Sequence, residues 1–352
     1  MFQKVKNKIN NLILDKNALP LFIKENNLSE NTIKFNICTF GSKNKEKVFY
    51  VIRRSPGAGL FSNVIYVLNH LLLAEQNKFI PIIDMENFTT IYNEKEKINN
   101  TYNAWEYYFE KINNYSLKEV YKSQNVILNN ILYKFIAKKN EFNISIDLNK
   151  KKYFKYIKKV KIKKIYLNKA REFFKKNFGN QEKVLGVHFR GSTYKTASGH
   201  AYPSTISEMI RNINYLLNKF NYNKIFLVTE EQKYLEALKK EFGSKLFFYD
   251  SYRMDTIDSF KIYPRKLHRY QLGNETLIEA IILSKCDGLT YVKSHIASFA
   301  KILSKKKQAD HEIFFGYNTR NKYFSRWSWY LKLNFPFIFG KIKLKKKPKN
   351  YF

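Results

Sequence analysis

The chain has 352 residues, 44% of them hydrophobic, and 64 Lys and Arg against 29 Asp and Glu give a formal charge of +35. That length and apolar content exclude a single small domain and a disordered polyelectrolyte, and predict two packed domains. No run of about 18 consecutive apolar residues occurs, so a membrane-spanning helix is not expected. Cys38 and Cys286 lie far apart without metal-type spacing, which argues against a disulfide framework and for a reducing cytoplasm. The first residues, Met1 to Asp15, alternate Lys and Asn with apolar residues and do not read as a secretory signal. Two readings of the charge stay open. It could attract polyanions such as nucleic acid, anionic lipid or a nucleotide diphosphate, or it could reflect a Lys- and Asn-rich composition spread along the chain.

In chain order, Thr32 to Phe40 reads as a possible strand before the Gly41-Ser42 turn. Val48 to Arg53 is rich in β-branched and aromatic residues and predicts a strand. Ser55-Pro56-Gly57-Ala58-Gly59 follows, then a helix from about Leu60 to Asn77 with Val64, Val67, Leu68, Leu71 and Leu72 on one face. Phe79 to Asp84 closes a βαβ unit with parallel strands. From Glu86 to Leu167 the chain is aromatic and helical without clear chemistry. Trp105, Tyr107, Tyr108 and Phe109 read as a small core cluster, with an acceptor-binding wall as the alternative. The Lys150 to Lys164 run approaches a domain boundary.

The second half alternates cleanly. Strands are expected at Val184–Arg190, Lys224–Thr229, Lys245–Tyr249, Gly288–Val292 and Glu312–Phe315. Helices are expected near Ser207–Phe220, Gln232–Phe242, Glu275–Cys286 and Ile296–Ser304. Such alternation predicts a doubly wound parallel sheet, whose ligands bind outside the carboxyl ends of the strands. The expected division is 1–167, 168–322 and a tail, 323–352. That tail pairs Trp327, Trp329, Tyr330, Phe335 and Phe337 with Lys341, Lys343 and Lys345-Lys346-Lys347. It suits an anionic membrane surface; its aromatic half could equally pack back onto the first domain.

Two strand-end segments and one position inside a helix can carry chemistry. His188-Phe189-Arg190-Gly191 ends the first strand of the second half, and its Arg could donate two charge-assisted hydrogen bonds to a diphosphate. Ser294 opens a helix, as an anion site or simply as an N-cap. Glu279 sits among Leu277, Ile278, Ala280 and Ile281. It is either an exposed face residue or a buried acceptor for guanine N1–H and its amino group, a donor pair adenine lacks.

Taken in order, His188-x-Arg190-Gly191, then Val228-Thr229-Glu230-Glu231, then Leu277-Ile278-Glu279 with Ser294 and Ser298, resemble the three peptide motifs of GDP-fucose-dependent fucosyltransferases. The group meant is that of the α1,6-, nodulation-factor and protein O-fucosyltransferases. Gly57-Ala58-Gly59-Leu60-Phe61-Ser62-Asn63 with Ile82-Ile83-Asp84 is similar to that group's N-terminal glycine loop and following strand. The resemblance spans Val48 to Asp84 and Val184 to Lys305.

The resemblance implies a GT-B-like α/β architecture of two Rossmann-type doubly wound parallel-sheet domains facing a cleft. It implies inverting, metal-independent transfer from GDP-fucose, with no cofactor and no metal site. By the same resemblance Arg190 holds the donor pyrophosphate and His188 sits beside the nucleotide. Glu279 binds guanine, Ser294 and Ser298 meet phosphate oxygens, and Gly57 and Gly59 let the loop approach the donor. The physics is compatible: without a metal, the departing diphosphate needs Arg and helix-terminus donors, and no Asp-x-Asp or clustered metal spacing is present.

One departure is notable. Many relatives carry an acidic residue shortly after the motif Arg, where this chain has Gly191-Ser192-Thr193-Tyr194-Lys195. His200 is therefore the candidate base for the acceptor hydroxyl, against a plain turn-ordering role. The expected partners are a GDP-sugar and a glycan acceptor of the cell-surface polysaccharide or lipooligosaccharide-precursor kind, lipid-linked or free. An anionic membrane surface could be met through the tail, which would make the protein cytoplasmic or peripheral on the inner face of the membrane. No nucleic-acid partner is expected. The competing readings are a glycosyltransferase for another nucleotide sugar and a basic nucleic-acid-binding protein, although zinc spacing, helix-turn-helix and RNA-binding aromatic signatures are missing.

Overall fold

The computed structural model describes residues 36–54, 57–129, 156–179, 181–197, 200–255, 259–318 and 321–335. The chain divides into two compact units between Lys163 and Lys164.

In the N-terminal unit, β2 (Lys43–Ile52) enters the core with Phe49, Tyr50, Val51 and Ile52 fully buried. Helix α1 (Leu60–Gln76) returns the chain so that β3 (Ile80–Ile83) pairs parallel to β2, which is the βαβ unit the sequence predicts. Two short helices follow, α2 (Ala104–Tyr108) and α3 (Leu117–Val120). Strand β4 (Ser123–Leu128) then inserts between β2 and β1 (Asn36–Cys38). The sheet order is β1-β4-β2-β3, and β1 runs antiparallel to β4. This sheet is therefore mixed, where a wholly parallel one is expected from the sequence. Of the predicted strand Thr32 to Phe40, residues 32–35 lie outside the described residues. Trp105, Tyr107, Tyr108 and Phe109 are all core, with Trp105 stacked on Phe109 at 4.4 Å between ring centroids.

In the C-terminal unit, five strands are all parallel: β5 (Val184–His188), β6 (Lys224–Val228), β7 (Leu246–Phe248), β8 (Gly288–Val292) and β9 (Ala309–Ile313). Their order, β7-β6-β5-β8-β9, reverses direction between β5 and β8. Each strand is followed through the layers by a helix: α4 (Lys164–Asn177) precedes β5, and then come α5 (Ile206–Phe220), α6 (Gln232–Phe242), α7 (His268–Leu283) and α8 (His295–Leu303). Leu185, Val187, Met209, Ile213, Ile225, Leu227, Leu235 and Leu238 form one continuous core between sheet and helices. Burying each such side chain contributes about 1.5–3 kcal/mol, which offsets the entropy of ordering the layers.

The boundaries move in two informative places. Helix α7 begins seven residues before the predicted Glu275, and β9 lies earlier than Glu312–Phe315. Strand β9 is a half-exposed edge whose sequence, Ala-Asp-His-Glu-Ile, hides its strand character among charges. The tail begins with a further helix, α9 (Lys322–Asn334). It packs on the rest of the C-terminal unit. Tyr202 donates to the Ser325 carbonyl at 3.0 Å, and Lys332 donates to the Pro203 carbonyl at 2.9 Å. Residues 336–352, with the lysine cluster, lie outside the described residues. Among the described residues no helix is long and apolar enough to cross a membrane.

Candidate functional site

The strand order reverses between β5 and β8, and the carboxyl ends of strands at such a switch point are where an open α/β sheet takes its ligand. His188 ends β5 and is 3% exposed. Its Nδ1 lies 2.9 Å from Oγ of Ser294, the residue that follows β8 by two positions and caps α8. Burial, reinforced by the nearby Arg190 charge, lowers the His188 pKa to about 3, so its imidazole is neutral.

Arg190 lies two residues beyond β5, 8% exposed, with its guanidinium 3.4 Å from the Tyr194 ring centroid. Nη1 donates to the Lys293 carbonyl at 3.2 Å and Nη2 to Nδ1 of His200 at 3.0 Å. Both acceptors are neutral, so an incoming phosphate oxygen can replace them with a stronger, charge-assisted bond.

The structure brings His200, the candidate base, against Arg190, a contact the sequence did not suggest. A guanidinium only donates, so Nδ1 must be the acceptor and Nε2 carries the proton. Partial burial and then the Arg190 charge hold its pKa down to about 4. In this arrangement the imidazole offers a donor rather than a lone pair, and its contact is with Arg190.

Ser294 accepts from the Ala297 N–H at 3.3 Å, and Ser298 donates to the Ser294 carbonyl at 3.0 Å while only 1% exposed. Both hydroxyls thus serve the start of α8. An anion at this end would meet the first-turn backbone N–H groups and the positive end of the helix dipole rather than these hydroxyls.

The middle segment has a role the sequence did not reveal. Glu230 accepts from the Gly191 N–H at 3.2 Å, and Glu231 accepts from both the N–H and, at 2.8 Å, the hydroxyl of Ser192. A Cβ on Gly191 would come within 2.6 Å of Glu230 and 2.8 Å of Glu231. The glycine after Arg190 is thus needed so that two carboxylates from the end of β6 can clasp the β5 exit.

Glu279 lies on α7, 6% exposed, one turn from Glu275 on the same face. Its Oε1 accepts from the Ser251 hydroxyl at 2.7 Å and lies 3.5 Å from Nη2 of Arg253. Oε2 takes no hydrogen bond among the described residues. Burial raises its pKa to about 7, opposed by Arg253 and Ser251. Glu275 instead is fully engaged in structure: Arg265 clamps it through both nitrogens at 2.5 and 2.9 Å, and the Tyr252 N–H reaches it at 3.1 Å. Glu279 is thus buried, and the exposed-face alternative is ruled out. Arg253 and Ser251, which set its environment, come from a long polar loop that carries no periodic signal.

In the N-terminal unit, Gly57 has φ +100°, a backbone conformation L side chains rarely adopt, and nothing lies within 4 Å of a built Cβ there. Gly59 is the N-cap position of α1 without a side chain to close it. Beside this loop, at the end of β2, are two buried arginines that sequence reasoning passed over. Arg53 is tied to Asn129 through its backbone N–H and Nε, both at 2.8 Å, and Arg54 donates to Ser62 at 3.3 Å. Among the described residues no three His, Cys, Asp or Glu side chains gather to hold a metal ion.

No protein-family model matches the chain, and no curated protein matches it in sequence. Its fold is similar to solved fucosyltransferases. The NodZ α-1,6-fucosyltransferase co-crystallised with GDP aligns at 13% identity over 73% of this chain and 92% of that one, with a TM-score of 0.48; a NodZ structure from Bradyrhizobium aligns at 12% and 0.46 over 73% and 93%. POFUT1 in complex with GDP aligns at 10% identity over 76% and 99%, with a TM-score of 0.42. An Arabidopsis thaliana FUT1 variant in complex with GDP aligns at 10% over 78% and 72%, with a TM-score of 0.43.

Proposed function

We propose that this chain is an inverting, metal-independent glycosyltransferase that takes fucose from GDP-fucose. The carrying observation is convergence: Arg190, neutral His188 and the Ser294-capped start of α8 meet at the carboxyl ends of β5 and β8, where the strand order reverses. The order of the three strand-end motifs supports the same reading, and Glu279 supplies a buried carboxylate on the loop side of that sheet.

The roles follow from the chemistry. Departure of GDP leaves negative charge on the diphosphate, and Arg190 with the α8 N–H groups neutralises it in a low-dielectric crevice. Ionised Glu279 receives guanine N1–H and its amino group, which selects GDP over ADP and UDP. His200 and Tyr194 orient Arg190. The N-terminal unit, with its Gly57–Gly59 loop, is assigned to the acceptor side, and a glycan precursor of a cell-surface polymer is the proposed acceptor class. Another GDP-linked sugar would use the same nucleotide contacts.

Calorimetric titration with GDP, ADP, UDP and their sugars tests this reading. GDP and GDP-fucose should bind and the others should not; equal affinity for GDP and UDP removes the guanine assignment. Turnover of GDP-fucose should persist in EDTA, and activity that vanishes there and returns with manganese overturns the metal-free mechanism.

A further inference from the structure

Helix α9 is built inside out. Its face toward the C-terminal unit carries Ser325, Trp329 and a lysine, Lys332, which is only 4% exposed. That lysine sits 3.5 Å from the Phe315 ring centroid and pairs with Glu208 at 3.0 Å, and burial lowers its pKa to about 8. The opposite face is aromatic. Tyr323 is 69% exposed, Trp327 56% and Tyr330 61%, and these three fall on one side at i, i+4 and i+7. Phe324 and Leu333 flank them, and Arg326 lies at their edge.

A surface helix in water normally buries such residues and exposes its lysines. Here the buried charge costs desolvation, and the large rings gain nothing from solvent. The inversion has a reason if a second surface receives the rings. Composition says which kind. From Asn321 to Phe352 the chain contains no Asp or Glu, while Lys322 and Arg326 are followed, beyond the buried Lys332, by Lys341, Lys343, Lys345, Lys346, Lys347 and Lys349. Aromatic rings beside unopposed cations match the interface of an anionic bilayer, where Trp and Tyr settle at headgroup level and each Lys or Arg adds about 1 kcal/mol.

We propose that the Tyr323–Trp327–Tyr330 face of α9 docks this protein on an anionic phospholipid surface. The helix is anchored on its buried face through Tyr202 and Pro203 to the segment that follows His200, so α9 itself would stand between the docked surface and that segment. The proposal does not depend on the donor assignment.

Of the three tryptophans, Trp105 and Trp329 are buried and Trp327 is exposed, so Trp327 reports on the contact. The full chain is mixed with vesicles of phosphatidylglycerol and phosphatidylethanolamine, or of phosphatidylcholine alone, at about 0.15 M salt. Flotation with the anionic vesicles only is expected, together with a blue-shifted emission and quenching by brominated acyl chains that Trp327→Phe abolishes. Combined Tyr323→Ser, Trp327→Ser and Tyr330→Ser should weaken partitioning about tenfold or more with Tm unchanged. Four outcomes overturn the proposal: absence of binding to anionic vesicles, equal binding to phosphatidylcholine, anionic binding that leaves Trp327 unquenched, and burial of Trp327 instead in a second copy or on added RNA.

Discussion

Two buried arginines of the C-terminal unit, Arg190 and Arg253, make opposite use of the same side chain. Arg253 donates from Nε to the Thr229 carbonyl at 3.2 Å, and from Nη1 and Nη2 to Ser251 and Tyr249 at 2.8 Å each, with Glu279 beside it. Every nitrogen makes a contact, and three strand-end and loop carbonyls depend on it. Arg190 lies over a tyrosine ring and gives two bonds to a single carbonyl and a neutral imidazole. Its partners are exchangeable. A buried arginine is thus a scaffold or a site according to how completely the protein itself satisfies its donors.

The sharpest way to break the comparison is Arg253→Ala. It strands a buried carboxylate and releases the loop, so stability should fall by about 3–5 kcal/mol, or on the order of 10 °C in Tm, with GDP binding lost as a consequence. Thermal denaturation that shows Arg253→Ala as stable as wild type would make Arg253 a ligand residue instead. Arg190→Ala should do the reverse: Tm close to wild type, and turnover of GDP-fucose lower by roughly 100-fold or more. In the same variant the His200 imidazole, freed of its cationic neighbour, should titrate at a higher pH by NMR than in wild type.

Glu279→Gln sharpens the contrast from the acid side. The substitution mismatches the guanine donors and should cost about 1–3 kcal/mol in GDP affinity. It should leave the fold at least as stable near neutrality, because burial penalises the carboxylate. The sign follows from its pKa of about 7, raised above the unfolded value: the folded state prefers the protonated acid, so this group's contribution falls as pH rises through 7. The proposed guanine contact uses the ionised form, so wild-type affinity for GDP should be about tenfold weaker at pH 6 than at pH 8, and flat in the Gln variant.

The smallest effect is expected at His200. Without the imidazole Arg190 keeps the Lys293 carbonyl and the Tyr194 ring, so His200→Ala should lower kcat by less than about tenfold with its pH limbs unmoved. Loss of the alkaline-side activity together with a kcat collapse would restore His200 as the base.

The C-terminal sheet was legible in the sequence because each buried parallel strand is a short apolar run and each helix carries a 3.6-residue stripe, both local patterns. Strands β5 to β8 and helices α5, α6 and α8 accordingly fall within a residue or two of expectation. Strand β4 did not show, since Gln124 and Asn125 interrupt its apolar run and its pairing is with distant strands; β9 was expected three residues late, because Asp310 and Glu312 on its exposed face hide where the edge strand begins. Residue type and strand-end position singled out Arg190, His188, Ser294 and Glu279. Only the tertiary structure decided what each can do. The two serine hydroxyls turn inward to a helix start, His200 is left with a proton rather than a lone pair, and Ser251 and Arg253 arrive over Glu279 from a loop without periodicity. Protonation and hydrogen-bond occupancy depend on which groups lie within about 3 Å; for His188 with Ser294, Arg190 with Lys293, and Glu279 with Ser251 that is settled by packing between separate elements, where sequence spacing carries no geometric constraint.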